Sequence, residues 1–143
     1  MSKTSERISE LMTEKNLNAT QLAEQMGIPS MDIYRYVSGT HMPSYALLIK
    51  LLNFFECSAD YLLGQIDIPT EELLHPVLPF CKRLPAVLKE LRISKSSIIK
   101  NMHVSPSVMH KWTTGKNEPN SDTLIKLAKY LDCSVDYLIG RVR

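Results

Sequence analysis

The sequence predicts an all-α protein built from two tandem units of similar fold. The stretch CSADYLLG at 57–64 returns as CSVDYLIG at 133–140, and the 76-residue offset extends backwards without a gap, so that 7–64 align with 83–140 at 15 identical positions. Such a match indicates that each half is one folding unit of about 60 residues. Apolar residues recur at helical spacing in both halves, and no long stretch alternates with period two, so no sheet is predicted.

The first two helices of each unit follow from apolar spacing and from a capping residue between them. Ile8, Leu11 and Met12 stand at i, i+3 and i+4, and the aligned part of the second unit repeats this spacing. Asn18 and Ser94 have side chains that cap helices well. A second helix is therefore predicted to begin after each of them.

The remaining helices are indicated by start and stop signals. Ser105 before Pro106 predicts a helix start, since serine caps and proline suits the first helical position. Gly39 and Gly115 are predicted to end the third helices. The SxDYLxG sequence predicts a short capped fifth turn, and the fourth helices are expected over about 44–55 and 121–131.

Two domains are expected, over 1–66 and 83–143, with a linker over 67–82. The linker is loop-like, with one helical turn predicted over 70–74. Because Pro85 disfavours a helix interior, the first helix of the second unit is predicted to start there and to be shorter than its counterpart.

Composition excludes several classes of protein. With 44% hydrophobic and 22% charged residues the chain is typical of a soluble globular protein, and no stretch of about 20 apolar residues predicts a membrane span. The polar N-terminus predicts no signal peptide, so a cytoplasmic location is expected. The four histidines lack HExxH spacing, and there is no CxxC pair, glycine-rich phosphate loop or GxSxG sequence. No enzyme activity, cofactor, metal or small-molecule substrate is therefore expected.

Two short helices joined by a tight turn, in a helical unit of about 60 residues, resemble the helix-turn-helix DNA-binding domain of the phage Cro/repressor (XRE-type) family. The resemblance is carried by NATQLAEQMGIPSMDIYRYVSGTHMPS and SKSSIIKNMHVSPSVMHKWTTGKNEPN, each followed by LIKL and the CSxDYLxG tail. It implies two lambda-repressor-like five-helix domains. The third helices, at about 30–38 and 106–114, are then the recognition helices that enter the major groove of double-stranded DNA.

The two copies fit this family pattern unequally. Ala23 is small where the two helices cross and Gly27 suits the left-handed turn, whereas the second copy has Ile99 and His103 at these places. A distorted motif is therefore expected in the second copy. Charge favours the opposite copy, because residues 1–70 contain 5 basic and 8 acidic residues, against 12 and 7 in the remainder.

The resemblance places candidate DNA contacts on the exposed face of each recognition helix, at the start of the second helix and in the loop after the third. Arg35 is expected to pair with a guanine edge or to hold a phosphate. The alternative for the basic candidates is that they are simply solvated, as lysines on a helix surface commonly are. The candidates are Ser30, Met31, Tyr34, Arg35, Thr40 and His41 in the first copy, and Lys95, Ser107, His110, Lys111, Lys116 and Asn117 in the second.

These features predict a sequence-specific DNA-binding transcriptional regulator of prokaryotic or phage type, repressor-like in character. Residues 65–84 connect the aligned parts of the two units, and these 20 residues allow one chain to engage two unlike half-sites. The rival arrangement is a homodimer in which one copy reads DNA and the other dimerises. The alternative function is a protein-interaction or dimerisation module, antitoxin-like or anti-repressor, in which only the second copy contacts DNA.

Overall fold

The computed structural model describes residues 2–70 and 73–142, and within them it contains ten α-helices and no strand. The chain divides into two compact units, Met1–Glu71 and Glu72–Arg143, which confirms the all-α tandem architecture. Unit one contains α1 (Lys3–Glu14), α2 (Ala19–Met26), α3 (Ser30–Ser38), α4 (Tyr45–Phe55) and α5 (Ala59–Leu62). Unit two contains α6 (Phe80–Leu91), α7 (Lys95–Asn101), α8 (Pro106–Thr114), α9 (Ser121–Leu131) and α10 (Val135–Leu138).

Side-chain caps begin most of these helices, as the sequence predicts. The Asn18 side chain accepts a hydrogen bond from the Gln21 backbone N–H at 2.8 Å, and the Gln21 side chain accepts one from the Asn18 N–H in return. Ser94 caps α7, and Ser105 caps α8 with Pro106 in the first helical position. Each cap stabilises its helix by about 1 kcal/mol. Caps of the same kind open α4, α5, α9 and α10 at Ser44, Ser58, Asn120 and Ser134.

The first helix of unit two is longer than predicted. It begins at Phe80 and not at Pro85, and its 12 residues equal those of α1. Pro85 lies inside the helix, where it removes one backbone hydrogen bond at a cost of about 3 kcal/mol. Burial of Phe80, which packs edge-to-face on Trp112 with ring centroids 6.2 Å apart, offsets this cost. The helical turn predicted over 70–74 falls partly outside the described residues, and its described positions are not helical.

The recurring SxDYLxG tail closes each unit onto its own first helix. In unit one the Arg7 guanidinium donates to the Tyr61 carbonyl at 2.9 Å and lies 4.0 Å from the centroid of the Tyr61 ring. In unit two Arg83 donates twice to the Tyr137 carbonyl, at 3.0 and 2.7 Å, and lies 4.7 Å from that ring centroid. An arginine in the first helix and a tyrosine in the tail therefore repeat because together they join the two ends of each unit.

Replacing Arg83 by methionine is expected to destabilise unit two by about 2–3 kcal/mol, because the carbonyl of Tyr137 loses two charge-assisted hydrogen bonds in a partly buried setting. Urea denaturation followed by circular dichroism measures the change. Lys82→Met, at an exposed neighbouring position, is the matched control. Equal unfolding free energies for the two variants would contradict the structural role of Arg83.

The helix-turn-helix turn takes the same left-handed step in both units. Gly27 has φ 68°, and His103 at the aligned position has φ 55°. Ala23 is buried at the crossing of α2 and α3, whereas the bulkier Ile99 is only half-buried and α7 ends one residue earlier than α2 does. An open pocket of about 440 Å³ lies beside this turn in unit two. The second copy therefore keeps the left-handed step of the turn and differs from the first in the burial of the residue at the helix crossing and in the end of its second helix.

Opposite substitutions at Gly27 and His103, the left-handed residues of the two turns, test whether backbone strain affects stability. A Cβ atom added at Gly27 meets no atom within 4 Å, so Gly27→Ala is expected to destabilise unit one by about 1 kcal/mol through its left-handed backbone alone. His103→Gly removes the same strain, but the unfolded chain becomes more flexible and offsets most of the gain, so a net stabilisation of unit two by only a few tenths of a kcal/mol is expected. Thermal unfolding of both variants checks the opposite signs, and destabilisation by His103→Gly would count against strain at this position.

Both ends of the connecting region are held by their own units. The Asp67 carboxylate lies 3.3 Å from Lys3 Nζ in unit one. The His75 N–H donates to the Arg141 carbonyl in unit two at 2.8 Å. In the sequence, residues 68–74 lie between these two contacts.

Other features of the described residues concern membrane and metal chemistry. None of the helices in this part of the chain is long and apolar enough to span a bilayer. No group of three His, Cys, Asp or Glu side chains with metal-binding geometry occurs among the same residues. Among the described residues, Cys57, Cys81 and Cys133 form no disulfide and are half-buried.

Candidate nucleic-acid interface

The third helix of each unit is anchored by one face and exposed on the other. α3 and α8 span the ranges 30–38 and 106–114 that the sequence predicts for the recognition helices. Ile33 and Tyr36 bury the inner face of α3, and Met109 and Trp112 bury that of α8. The outer faces carry the candidate contacts predicted on the recognition helices, and the other candidates lie at the start of α7 and in the loops after α3 and α8.

The outer face of α3 combines apolar and basic side chains. Met31 is 58% exposed, Tyr34 is 53% exposed, and Arg35 is exposed beside them. Ser30, the first residue of the helix, is half-buried. The Tyr34 hydroxyl lies 3.3 Å from Thr20 Oγ1 at the start of α2, so the ring is held across the helix-turn-helix. Thr20 was not among the candidate residues predicted from the sequence, where its only signal is its position two residues after Asn18, the cap of α2.

The loop after α3 is ordered by its own polar groups. Thr40 Oγ1 donates to the Arg35 carbonyl at 3.2 Å and lies 3.0 Å from the Ser38 hydroxyl. His41 Nδ1 lies 3.3 Å from Thr40 Oγ1. Both predicted loop residues, Thr40 and His41, remain exposed and accessible to a ligand.

The candidates of unit two are all exposed, and three of them are lysines. Lys95 is the first residue of α7, Lys111 lies on α8 and Lys116 follows Gly115 at the end of α8. The Asn117 side chain accepts a hydrogen bond from the Glu118 backbone N–H at 2.9 Å, which fixes its orientation in the loop. Ser107 and His110 complete the outer face of α8.

The two helix-turn-helix segments differ in charge. Residues 15–41 contain two basic side chains and two acidic ones, Glu24 and Asp32. The aligned residues 91–117 contain five basic side chains and no acidic one. Among the five, Lys100 is an exposed residue of α7 that the sequence-based set omitted. Attraction of phosphate is therefore concentrated in unit two.

The pKa of the Tyr36 phenol is raised to about 12, chiefly by burial of the side chain on the inner face of α3 and also by the nearby Asp32 carboxylate, while Arg35 acts in the lowering direction. Because the folded-state pKa exceeds the ordinary value near 10, the contribution of this group to stability is complete below about pH 10 and is lost as pH rises towards about 12.

Wild type is therefore expected to lose up to about 2–3 kcal/mol relative to Tyr36→Phe between pH 9 and pH 12. Urea unfolding of both proteins at several pH values measures this difference. Parallel pH profiles would contradict the shifted titration of Tyr36.

Comparison with known proteins agrees with this geometry. The helix-turn-helix family model matches the chain twice, over residues 8–62 and 86–138. The chain therefore belongs to the XRE-type helix-turn-helix family and carries the domain in two tandem copies. Over 58 residues it is 36% identical to the repressor protein C2 of Salmonella phage P22, a match that covers 41% of this chain and only 27% of that protein's length. No solved structure matches the chain significantly.

Proposed function

We propose that this chain is a sequence-specific double-stranded DNA-binding protein that regulates transcription in a prokaryote or phage, in the manner of a repressor. In this proposal α3 and α8 enter the major groove. The observation that carries it is that each unit holds its third helix by buried anchors and leaves the outer face exposed, with candidate base and phosphate contacts on that face.

The charge pattern supports a division of labour between the units. Lys95, Lys111 and Lys116 stand at the three places where this motif meets the DNA backbone or bases, and no acidic residue from 91 to 117 opposes them. Unit two then supplies most of the affinity. The similarity to a protein named as a phage repressor supports the regulatory part of the proposal. The role is non-enzymatic, cytoplasmic and independent of cofactors or metals.

A second candidate function is favoured by the exposed apolar side chains of unit one. Met31 and Tyr34 are more than half exposed on a helix-turn-helix segment of zero net charge, which is also typical of a protein-binding surface. In this version only unit two contacts DNA and unit one binds a protein partner or a second copy of the chain.

Selection of binding sites from a random double-stranded DNA library by the full chain tests the proposal. We expect an enriched site bound at least a thousandfold more tightly than random DNA, with affinity that falls steeply with salt. Footprinting and stoichiometry then separate the arrangements: one chain on two unlike half-sites supports tandem reading, and two chains on an inverted repeat support a homodimer. Failure to enrich any sequence would reject sequence-specific recognition.

A further inference from the structure

We infer that the two units select chemically different half-sites: α3 recognises thymine methyl groups through Met31 and Tyr34, and α8 recognises the acceptor edge of guanine through His110 and Lys111. The inference rests on the proposed function and specifies what each recognition helix reads. It arises from two pairs of aligned positions at which the units carry side chains of opposite chemistry.

These positions are the second and fifth residues of each recognition helix. Met31 and Ser107 are the second residues, and Tyr34 and His110 are the fifth. Residues three apart lie on the same face of a helix, and the N-terminal residues of a recognition helix lie nearest the base edges. All four side chains are exposed, so their chemistry determines which base edge each unit prefers.

Unit one presents an apolar surface at these positions. The Met31 thioether is 58% exposed and carries no hydrogen-bond donor, so it offers little to the polar edge of a base. The Tyr34 hydroxyl already lies 3.3 Å from Thr20 Oγ1, which leaves the ring as the contacting surface. In the major groove the apolar group of the four bases is the C5-methyl of thymine. A thioether next to a fixed aromatic ring suits that methyl group.

Unit two presents hydrogen-bonding groups at the same places. Ser107 carries a hydroxyl, His110 an imidazole and Lys111 an ammonium group, in a segment without acidic residues. Guanine offers two acceptors, N7 and O6, in the major groove and is the base that lysine recognises best. Arg35 aligns with Lys111, so the difference between the units lies in the apolar pair and not in this cation.

The test uses the full chain and its selected site with chemically altered bases. Replacing the thymines of one half-site by deoxyuridine, which lacks the methyl group, is expected to weaken binding about fourfold per contacted methyl. Replacing guanines of the other half-site by 7-deazaguanine, which lacks the N7 acceptor, is expected to weaken binding about fivefold. The double variant Met31→Ser, Tyr34→His, which gives α3 the side chains that α8 carries at these positions, is expected to abolish the sensitivity to deoxyuridine and to preserve that to 7-deazaguanine.

Ser107→Ala is the matched control, because it occupies the aligned position in unit two and is expected to preserve the sensitivity to deoxyuridine in full. Full affinity on deoxyuridine DNA would overturn the inference, as would a methyl effect that persists in the double variant of Met31 and Tyr34. If the library yields no selected site, the proposed function fails and this inference fails with it. If a site is selected but deoxyuridine does not weaken binding to it, the inference alone fails. The two failures are therefore distinguishable.

Discussion

Replacing Lys95, Lys111 and Lys116 together by glutamine is expected to lower the affinity of the full chain for its selected DNA site by about a hundredfold at 0.15 M salt. Lys95 and Lys116, which are expected to neutralise phosphates, each contribute about 0.9 to the slope of log affinity against log salt, so the slope should flatten by about 1.8. Extrapolated to 1 M salt, where this contribution vanishes, such a flattening corresponds to a loss of about thirtyfold, and the lost contact of Lys111 with guanine accounts for the rest. Fluorescence anisotropy titrations between 0.05 and 0.4 M salt measure both quantities.

The matched control changes the net charge of the same unit by the same amount. Lys82, Lys89 and Lys129 are exposed residues of α6 and α9, outside the helix-turn-helix of unit two. Their triple replacement by glutamine is expected to leave the salt slope nearly unchanged, because long-range attraction is screened beyond about 10 Å. Equal losses in the two triple variants would mean that only net charge matters and that the lysines around α8 do not contact phosphates.

The main architecture could be predicted because the repeat and the local signals agree with each other. Caps such as Asn18 and Ser105 and left-handed positions such as Gly39 determine helix ends through short-range contacts, and all three act as predicted. Because the unit occurs twice in the chain, each helix signal can be checked at the aligned position of the other unit. The existence and the order of the helices could therefore be predicted from this sequence.

The features that were not predicted depend on contacts distant in sequence. Pro85 predicts a helix start by local rules, whereas α6 extends ahead of it to Phe80, which packs against Trp112. The hydrogen bonds from Arg83 to the Tyr137 carbonyl join residues 54 positions apart. No spacing rule connects such residues, although their joint recurrence in the repeat was a usable signal.

The candidate site could likewise be predicted from the sequence only in part. Exposure of Met31, Tyr34 and Lys111 follows from the helical period once the buried anchors are known. The contact between Thr20 and Tyr34 crosses from α2 to α3 and depends on how the two helices meet at the turn. Which side chains are exposed on the third helices was therefore predictable, whereas what holds them in place required the fold.

Replacing Trp112 by alanine is expected to have the largest effect on stability, a loss of about 3–5 kcal/mol in unit two. Trp112 is 3% exposed, anchors α8 and packs edge-to-face on Phe80 of α6. A unit of 72 residues has a total stability of about 4–11 kcal/mol, so the substitution removes much or all of it. Trp112→Phe, which retains a ring, is the conservative control and is expected to lose less than half as much.

The same variant isolates unit one within the full chain. In two-dimensional NMR spectra the dispersed resonances of unit two are expected to collapse in Trp112→Ala while those of unit one persist; loss of all dispersion would contradict independent folding. DNA binding by this variant then reports what α3 contributes without α8. Residual selection of a thymine-containing half-site, with a salt slope flatter than that of wild type, would show that unit one reads DNA. Binding at the level of random DNA would assign Met31 and Tyr34 to a protein partner, because the charge needed for phosphate contact lies in unit two.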